Sequence, residues 1–258
     1  MLDTAVIPCG GLGTRLAPIS RWIPKELLPV ALKPLLHWTL DEIADAGMLH
    51  AIIVINPARP TVEAIARNWQ GPLELEFVPQ YKPHGLGDAL SRARDLLAGS
   101  EFIAVLPDNL FLGDNPTRRV AETFRKTRLS TVLLSEITQE DARLKGATGK
   151  ARVEKGEDGT LLVTDVADKG TGRFQTGGSA SAVTPIGRIA FTGDIFREFD
   201  EVAKTLGPGA ELDDVPVLQR LARRRALAGV TSTARFFDVG VPEGYRDAVA
   251  SFPPRAER

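Results

Sequence analysis

The chain has 258 residues, 43% of them hydrophobic and 25% charged, with 32 basic residues against 33 acidic ones for a net charge of −1. That length allows one large domain with a well-buried core. The balanced charge excludes a general nucleic-acid or membrane-surface binder and leaves room for a local basic pocket. The lone cysteine, Cys9, has no disulfide partner in the chain and no zinc-ligand spacing around it, so it reads as a small buried side chain. No signal-like leader and no apolar run of about eighteen residues is seen, and a cytoplasmic location is expected.

Residues Thr4 to Pro8, Ala51 to Asn56, Leu73 to Pro79 and Glu101 to Pro107 are short apolar or β-branched runs bounded by Pro, Gly, Asn or Asp, which predicts buried strands. Between them, Leu35 to Ala46, Thr61 to Trp69 and Gly87 to Leu97 carry apolar residues at three- and four-residue spacing, which predicts helices. Strand alternating with helix points to an α/β fold, Rossmann-like, with a mostly parallel central sheet flanked by helices. After Asn115 the rhythm changes. A helix is expected over Thr117 to Thr127 and a strand over Ser130 to Glu136; Lys150 to Glu154 and Leu161 to Val166, about a Glu-Asp-Gly turn, read as a small added β-hairpin. Gly170 to Ala182, rich in Gly, Ser and Thr, reads as a mobile loop. A strand over Ile186 to Thr192, helices over Asp194 to Thr205 and Val215 to Arg225, and a strand over Arg235 to Val239 complete the pattern of a single domain.

The segment Gly10-Gly11-Leu12-Gly13-Thr14-Arg15 follows the first strand, so amides freed by glycine are placed to wrap a phosphate. Taken alone, such a loop is more often a tight turn. A dinucleotide-binding GxGxxG laid on Gly11 and Gly13 puts Leu16 where the third glycine belongs, and residues Ala31 to Pro34 supply no acid about twenty residues on. A P-loop is excluded because no lysine follows a glycine here.

What remains is GGxGTRLxP followed by PKELLP, and with it residues 5 to 47 resemble the sugar-1-phosphate nucleotidyltransferases, closest to the uridylyl- and thymidylyltransferases that act on glucose 1-phosphate. The resemblance implies the nucleotide-diphospho-sugar transferase fold, with residues 1–115 binding nucleotide and 116–258 binding the sugar phosphate. It implies that Gly10, Gly11, Gly13 and Thr14 cradle a triphosphate, while Arg15 and Lys25 are catalytic, offsetting the charge of the departing pyrophosphate. In FVPQYKPHGLGDAL it implies that Gln80 and Gly85 meet the base. A glutamine amide suits the O4 and N3–H edge of uracil or thymine, although an amide can be turned over and so leaves cytosine open.

The same resemblance makes Asp108 in VLPDNLF and Asp238 in FFDVGVPEGYRDA the ligands of a Mg²⁺ ion. In the second half it implies that Gly146, Gly187, Asp168 and Lys169 hold the sugar phosphate. VADKG departs there from the family's Glu-Lys-Pro, since Asp168 stands for glutamate and Gly170 for proline; a modified sugar or a cyclitol phosphate therefore stays open as acceptor, with another nucleotide. The partners implied are a nucleoside triphosphate and a sugar 1-phosphate, with no nucleic acid and no membrane; relatives that are dimers or tetramers leave a homo-oligomer open. A non-catalytic nucleotide-sugar sensor is the alternative of another class, set against by both metal-binding aspartates. His37, His50 and His84 lack metal-ligand spacing, and Arg223 to Arg225 read as a solvated helix face.

Overall fold

Strands form where the sequence runs apolar between chain breakers, and helices where the apolar spacing lengthens to three and four. The computed structural model describes residues 2–252. Its strands are β1 (Thr4–Cys9), β2 (Pro29–Val30), β3 (Lys33–Pro34), β4 (His50–Ile55), β5 (Glu74–Pro79), β6 (Phe102–Val105), β7 (Asn109–Leu112), β8 (Ser130–Thr138), β9 (Ala151–Lys155), β10 (Leu161–Val166), β11 (Ser181–Phe191), β12 (Leu227–Thr231) and β13 (Arg235–Asp238). The helices are α1 (Leu35–Asp45), α2 (Thr61–Arg67), α3 (Leu86–Ser91), α4 (Arg94–Leu97), α5 (Pro116–Thr127), α6 (Ile195–Ala203), α7 (Val215–Arg223) and α8 (Pro242–Ser251).

Among the described residues, nine strands make one sheet in the order β5-β4-β1-β6-β11-β8-β12-β10-β9. Seven of the nine run the same way, β10 and β11 being reversed, so the sheet is mostly parallel as the alternation predicts. The added hairpin, β9 with β10, extends this same sheet, while β7 pairs with β13 and β2 with β3 in small antiparallel sheets. Side chains alternate along β1: Ala5, Ile7 and Cys9 pack on one face with α1, α2 and α5, through Leu40, Val62 and Phe124. Val6 packs on the other face with Leu90 of α3, Phe199 of α6 and Leu218 of α7.

A third, smaller core joins the chain's beginning to its end. Leu16 and Leu28 of the glycine-loop segment pack with Leu110, Phe237, Val239 and Phe252. The expected helix over 87–97 is two, because bonds at Arg92 and Ala93 tighten to i→i−3. Helix α5 starts on an Asn115 cap, whose side-chain oxygen accepts from the Arg118 N–H at 2.9 Å, with proline in the first turn. Of the segment expected to be a mobile loop, Ser181 and Ala182 belong to β11, Arg173 bridges to Gly146 and Phe174 is buried. No helix of the described residues is long and apolar enough to cross a membrane.

The strand order reverses beside β1: β4 and β5 lie on one side of it and β6 on the other. In open α/β sheets that reversal opens a crevice beyond the carboxyl ends of the strands. Cys9, Gln80 and Asp108 all fall at or just past such ends.

Candidate active site

A cleft of about 420 Å³ lies at this reversal. The loop from β1 forms one wall. Gly13 takes the left-handed conformation, φ 65°, that lets the chain turn into the short helical turn Thr14–Leu16, and buried Leu16 pins that turn to the third core. Lys25 reaches beneath the loop, its Cε 3.6 Å from where a β-carbon on Gly11 would sit, and its Nζ donates to Asp108 Oδ2 at 2.5 Å.

Asp108 and Asp238 meet although 130 positions separate them. The Val239 N–H donates to the Asp108 carbonyl at 2.8 Å, and antiparallel pairing sets Asp238 opposite Asn109. A β-carbon on Gly240 would lie 3.0 Å from Asp238 Oδ1 and 3.1 Å from Asp108 Oδ2, so both carboxylates flank one point of the wall. Asp238 Oδ2 accepts from the Gly146 N–H at 2.6 Å, and the Arg15 guanidinium lies against the same glycine. Two convergent carboxylates are a donor set that fits a hard divalent cation completing its shell with phosphate and water.

Residues 4–155 match the model of the nucleotidyl transferase family. The chain belongs to that family. A UTP-glucose-1-phosphate uridylyltransferase of Bacillus subtilis (strain 168) is 25% identical over 271 residues, spanning 96% of this chain and 90% of its own. Another protein of that description, from Pseudomonas aeruginosa, is 26% identical over 276 residues, spanning 96% and 95%. The crystal structure of a UDP-glucose pyrophosphorylase complexed with UDP-glucose superposes with a TM-score of 0.83 at 25% identity, over 98% of each chain.

Every residue that the sequence singled out for the family's site lines the cleft except Asp168. The Asp168 carboxylate is exposed and accepts from Gln219 Nε2 at 2.8 Å. Lys169 does line it, with Nζ donating to Asp213 at 2.7 Å and to Asp214 at 2.9 Å. Of the acids in the segment before α7, Asp214, which accepts from this lysine, and Glu211 line the cleft. That segment is tied to the turn after Gln80, since the Leu212 N–H donates to the His84 carbonyl and the Gly87 N–H to the Leu212 carbonyl, both at 2.8 Å. Gly85, at φ 98°, lies so close to Leu212 that no side chain fits there.

Charges in the cleft are balanced against burial. Burial would raise the Asp108 carboxyl, but the Lys25 ammonium bonded to it, with Arg15, holds it below the usual carboxylate range. Asp238 goes the other way: burial and the neighbouring Asp108 charge push it up against the bond from Gly146. Burial alone would lower Lys25 and Lys169, yet Asp108 with Glu26, and Asp214 with Asp213, raise them. Glu26 is fully buried, 3.8 Å from Lys25 Nζ, and neither of its oxygens has a hydrogen-bond partner among the described residues; burial pushes it up to about 7.

Several neighbours of the singled-out residues were not themselves evident. Lys145 is buried, donates to the Phe236 carbonyl at 2.5 Å and is lowered by burial. Arg188 follows Gly187 in a bulge of β11 and is 1% exposed. Its guanidinium donates to both oxygens of Glu42, at 2.8 and 2.6 Å, and to the carbonyls of Leu106, Gly187 and Asn109. The turn bearing Asp108 is thereby held by a buried, fully bonded ion pair. The signal available in the sequence was adjacency: a charged residue beside a glycine already singled out.

Proposed function

We propose that this chain joins glucose 1-phosphate to UTP or dTTP, releasing pyrophosphate and forming a nucleotide-diphosphate sugar. The supporting observation is the convergence of Arg15, Lys25, Asp108 and Asp238, drawn from both ends of the chain, on one cleft at the strand-order reversal. Residues 1–115 serve the nucleotide and 116–258 the acceptor, and the reaction runs in the cytoplasm.

In this reading a phosphate oxygen of the sugar phosphate bonds to the α-phosphorus while the bond from that phosphorus to the pyrophosphate oxygen breaks, in line. The nucleophile is already anionic, so no side chain needs to remove a proton, and the work is to bring two anions together and screen them. Glycine-loop amides and Arg15 hold the triphosphate. Lys25 exchanges Asp108 for phosphate oxygens, and Lys169, released from Asp213, presents the acceptor. Asp108 and Asp238 would hold Mg²⁺, which supplies charge stabilisation at the α-phosphate.

One observation favours a modified acceptor as the second reading. Asp168 is turned to Gln219, and the cleft-lining acid bonded to Lys169 is Asp214, with Glu211 also on the cleft wall, so the hydroxyls recognised need not be those of glucose. Pyrophosphate release from the purified chain with Mg²⁺, each of the five common nucleoside triphosphates and a panel of sugar and cyclitol phosphates tests both. Release with UTP or dTTP and glucose 1-phosphate is expected; release only with another acceptor selects the second reading, and none with any pair rejects both.

A further inference from the structure

One amide faces the base side of the cleft, and its orientation is set from behind. Gln80 follows β5 and is 2% exposed. Its Nε2 donates to Asp88 Oδ2 at 2.7 Å, and the other Asp88 oxygen, Oδ1, accepts from Arg92 Nη2 at 2.7 Å. A carboxylate has lone pairs to offer and no hydrogen. The amide nitrogen is therefore the end that meets Asp88, and Oε1 is turned away from it. Oε1 lies against Gly10, where an added β-carbon would overlap it, on the cleft wall that both residues share. Turning the amide over would set Oε1 against the Asp88 carboxylate, two acceptors facing each other with water largely excluded.

We propose that Asp88 is a specificity-determining positioning residue. By holding the Gln80 amide in one orientation it makes the cleft present a hydrogen-bond acceptor, so that bases with a ring N–H beside a carbonyl, uracil and thymine alike, bind in preference to cytosine. Cytosine's ring N3 is itself an acceptor, and it would meet Oε1 lone pair to lone pair. Adenine is disfavoured for the same reason at N1, whereas guanine, with N1–H, passes this test and is separated by size. The inference rests on the nucleotide reading above. Asp88 touches no substrate in it and acts only through Gln80.

Calorimetric titration of the purified full chain with UTP and with CTP, in magnesium buffer, tests this for the unaltered protein, Asp88→Asn and Gln80→Ala. The unaltered chain is expected to bind UTP at least about tenfold more tightly than CTP. In Asp88→Asn the new side chain accepts or donates, the two amides turn over together, and the UTP-to-CTP ratio falls by about tenfold, chiefly through tighter CTP binding. A merely structural role for Asp88 would weaken both nucleotides alike, and that result, or an unchanged ratio, overturns the proposal. Should Asp88→Asn fail to fold, a ratio near one in the unaltered chain overturns it as well. Failure of the nucleotide reading looks different: no nucleotide binds at all, or Gln80→Ala leaves every affinity unchanged.

Discussion

Lys25 and Asp108 neutralise each other in the cleft, with side chains only 18% and 15% exposed. Removing one leaves the other charged and poorly hydrated, so Lys25→Met and Asp108→Asn should each lower stability by about 2 to 3 kcal/mol. Each should also lower turnover by about a hundred- to a thousandfold, the usual loss for one preorganised charge contact. The double variant separates the two effects: urea unfolding should show part of the stability restored, since neither member of the pair is left alone although buried Glu26 loses its neighbouring ammonium, while pyrophosphate release stays low. A single variant that turns over at near-normal rate would remove that residue from the chemistry. At this scale the sequence was most legible where a residue type and its spacing carry meaning together, as in the glycine loop with Arg15 and Lys25. It was least legible where meaning comes from a partner far along the chain. Nothing about Glu42 or Asp88 in the sequence says that one anchors Arg188 and the other holds Gln80.

Among the elements, strands carrying an apolar run between chain breakers could be read directly, down to the four-residue β6 and β13, as could helices with clear periodicity; strands without such a run could not. Strand β7 has four residues and β2 and β3 two each, too few to show alternation, and β12 carries a glycine, Gly229, against which Leu134 packs. Helix α8 was legible and unread: Pro242 starts it, and Tyr245, Ala248 and Phe252 follow Val241 at helical spacing. The bulge in β11 is invisible in sequence because it needs the register of β8 to define it. That bulge positions the site. A β-carbon on Gly187 would fall 2.7 Å from Leu106 Cβ and into the Asn109 side chain, on the turn that carries Asp108. Gly187→Ala should therefore cost about 1 to 3 kcal/mol by overpacking, with turnover falling more than nucleotide affinity. Gly207→Ala, which faces open space among the described residues, is the control and should stay within about 0.5 kcal/mol. Equal melting temperatures and equal kinetics for the two would mean that the bulge does not hold the turn.

Across the whole molecule, the two halves of the chain are interlocked. Strand β11 from the second half pairs with β6 from the first, and β13 pairs with β7, which is how Asp238 comes to lie beside Asp108. The third core makes the glycine-loop segment depend on the last described residues. Phe252 is 5% exposed and packs edge-on against Trp38, at 5.3 Å between ring centres, and against Phe237, at 5.5 Å. Leu16 and Leu28 share that cluster. Phe252→Ala should cost about 3 to 5 kcal/mol, as large-to-small changes in a core do, and the loss should not stay local. Hydrogen exchange should quicken over residues 10–30 and over β13 as well as α8, while β4 and β5, packed on the main sheet's own cores, keep their protection. Pyrophosphate release should fall with it, because Arg15 and Lys25 stand on the loosened segment. Exchange that quickens in α8 alone would show that the loop is held by the sheet without help from the chain's end, and that the third core is only a patch over it.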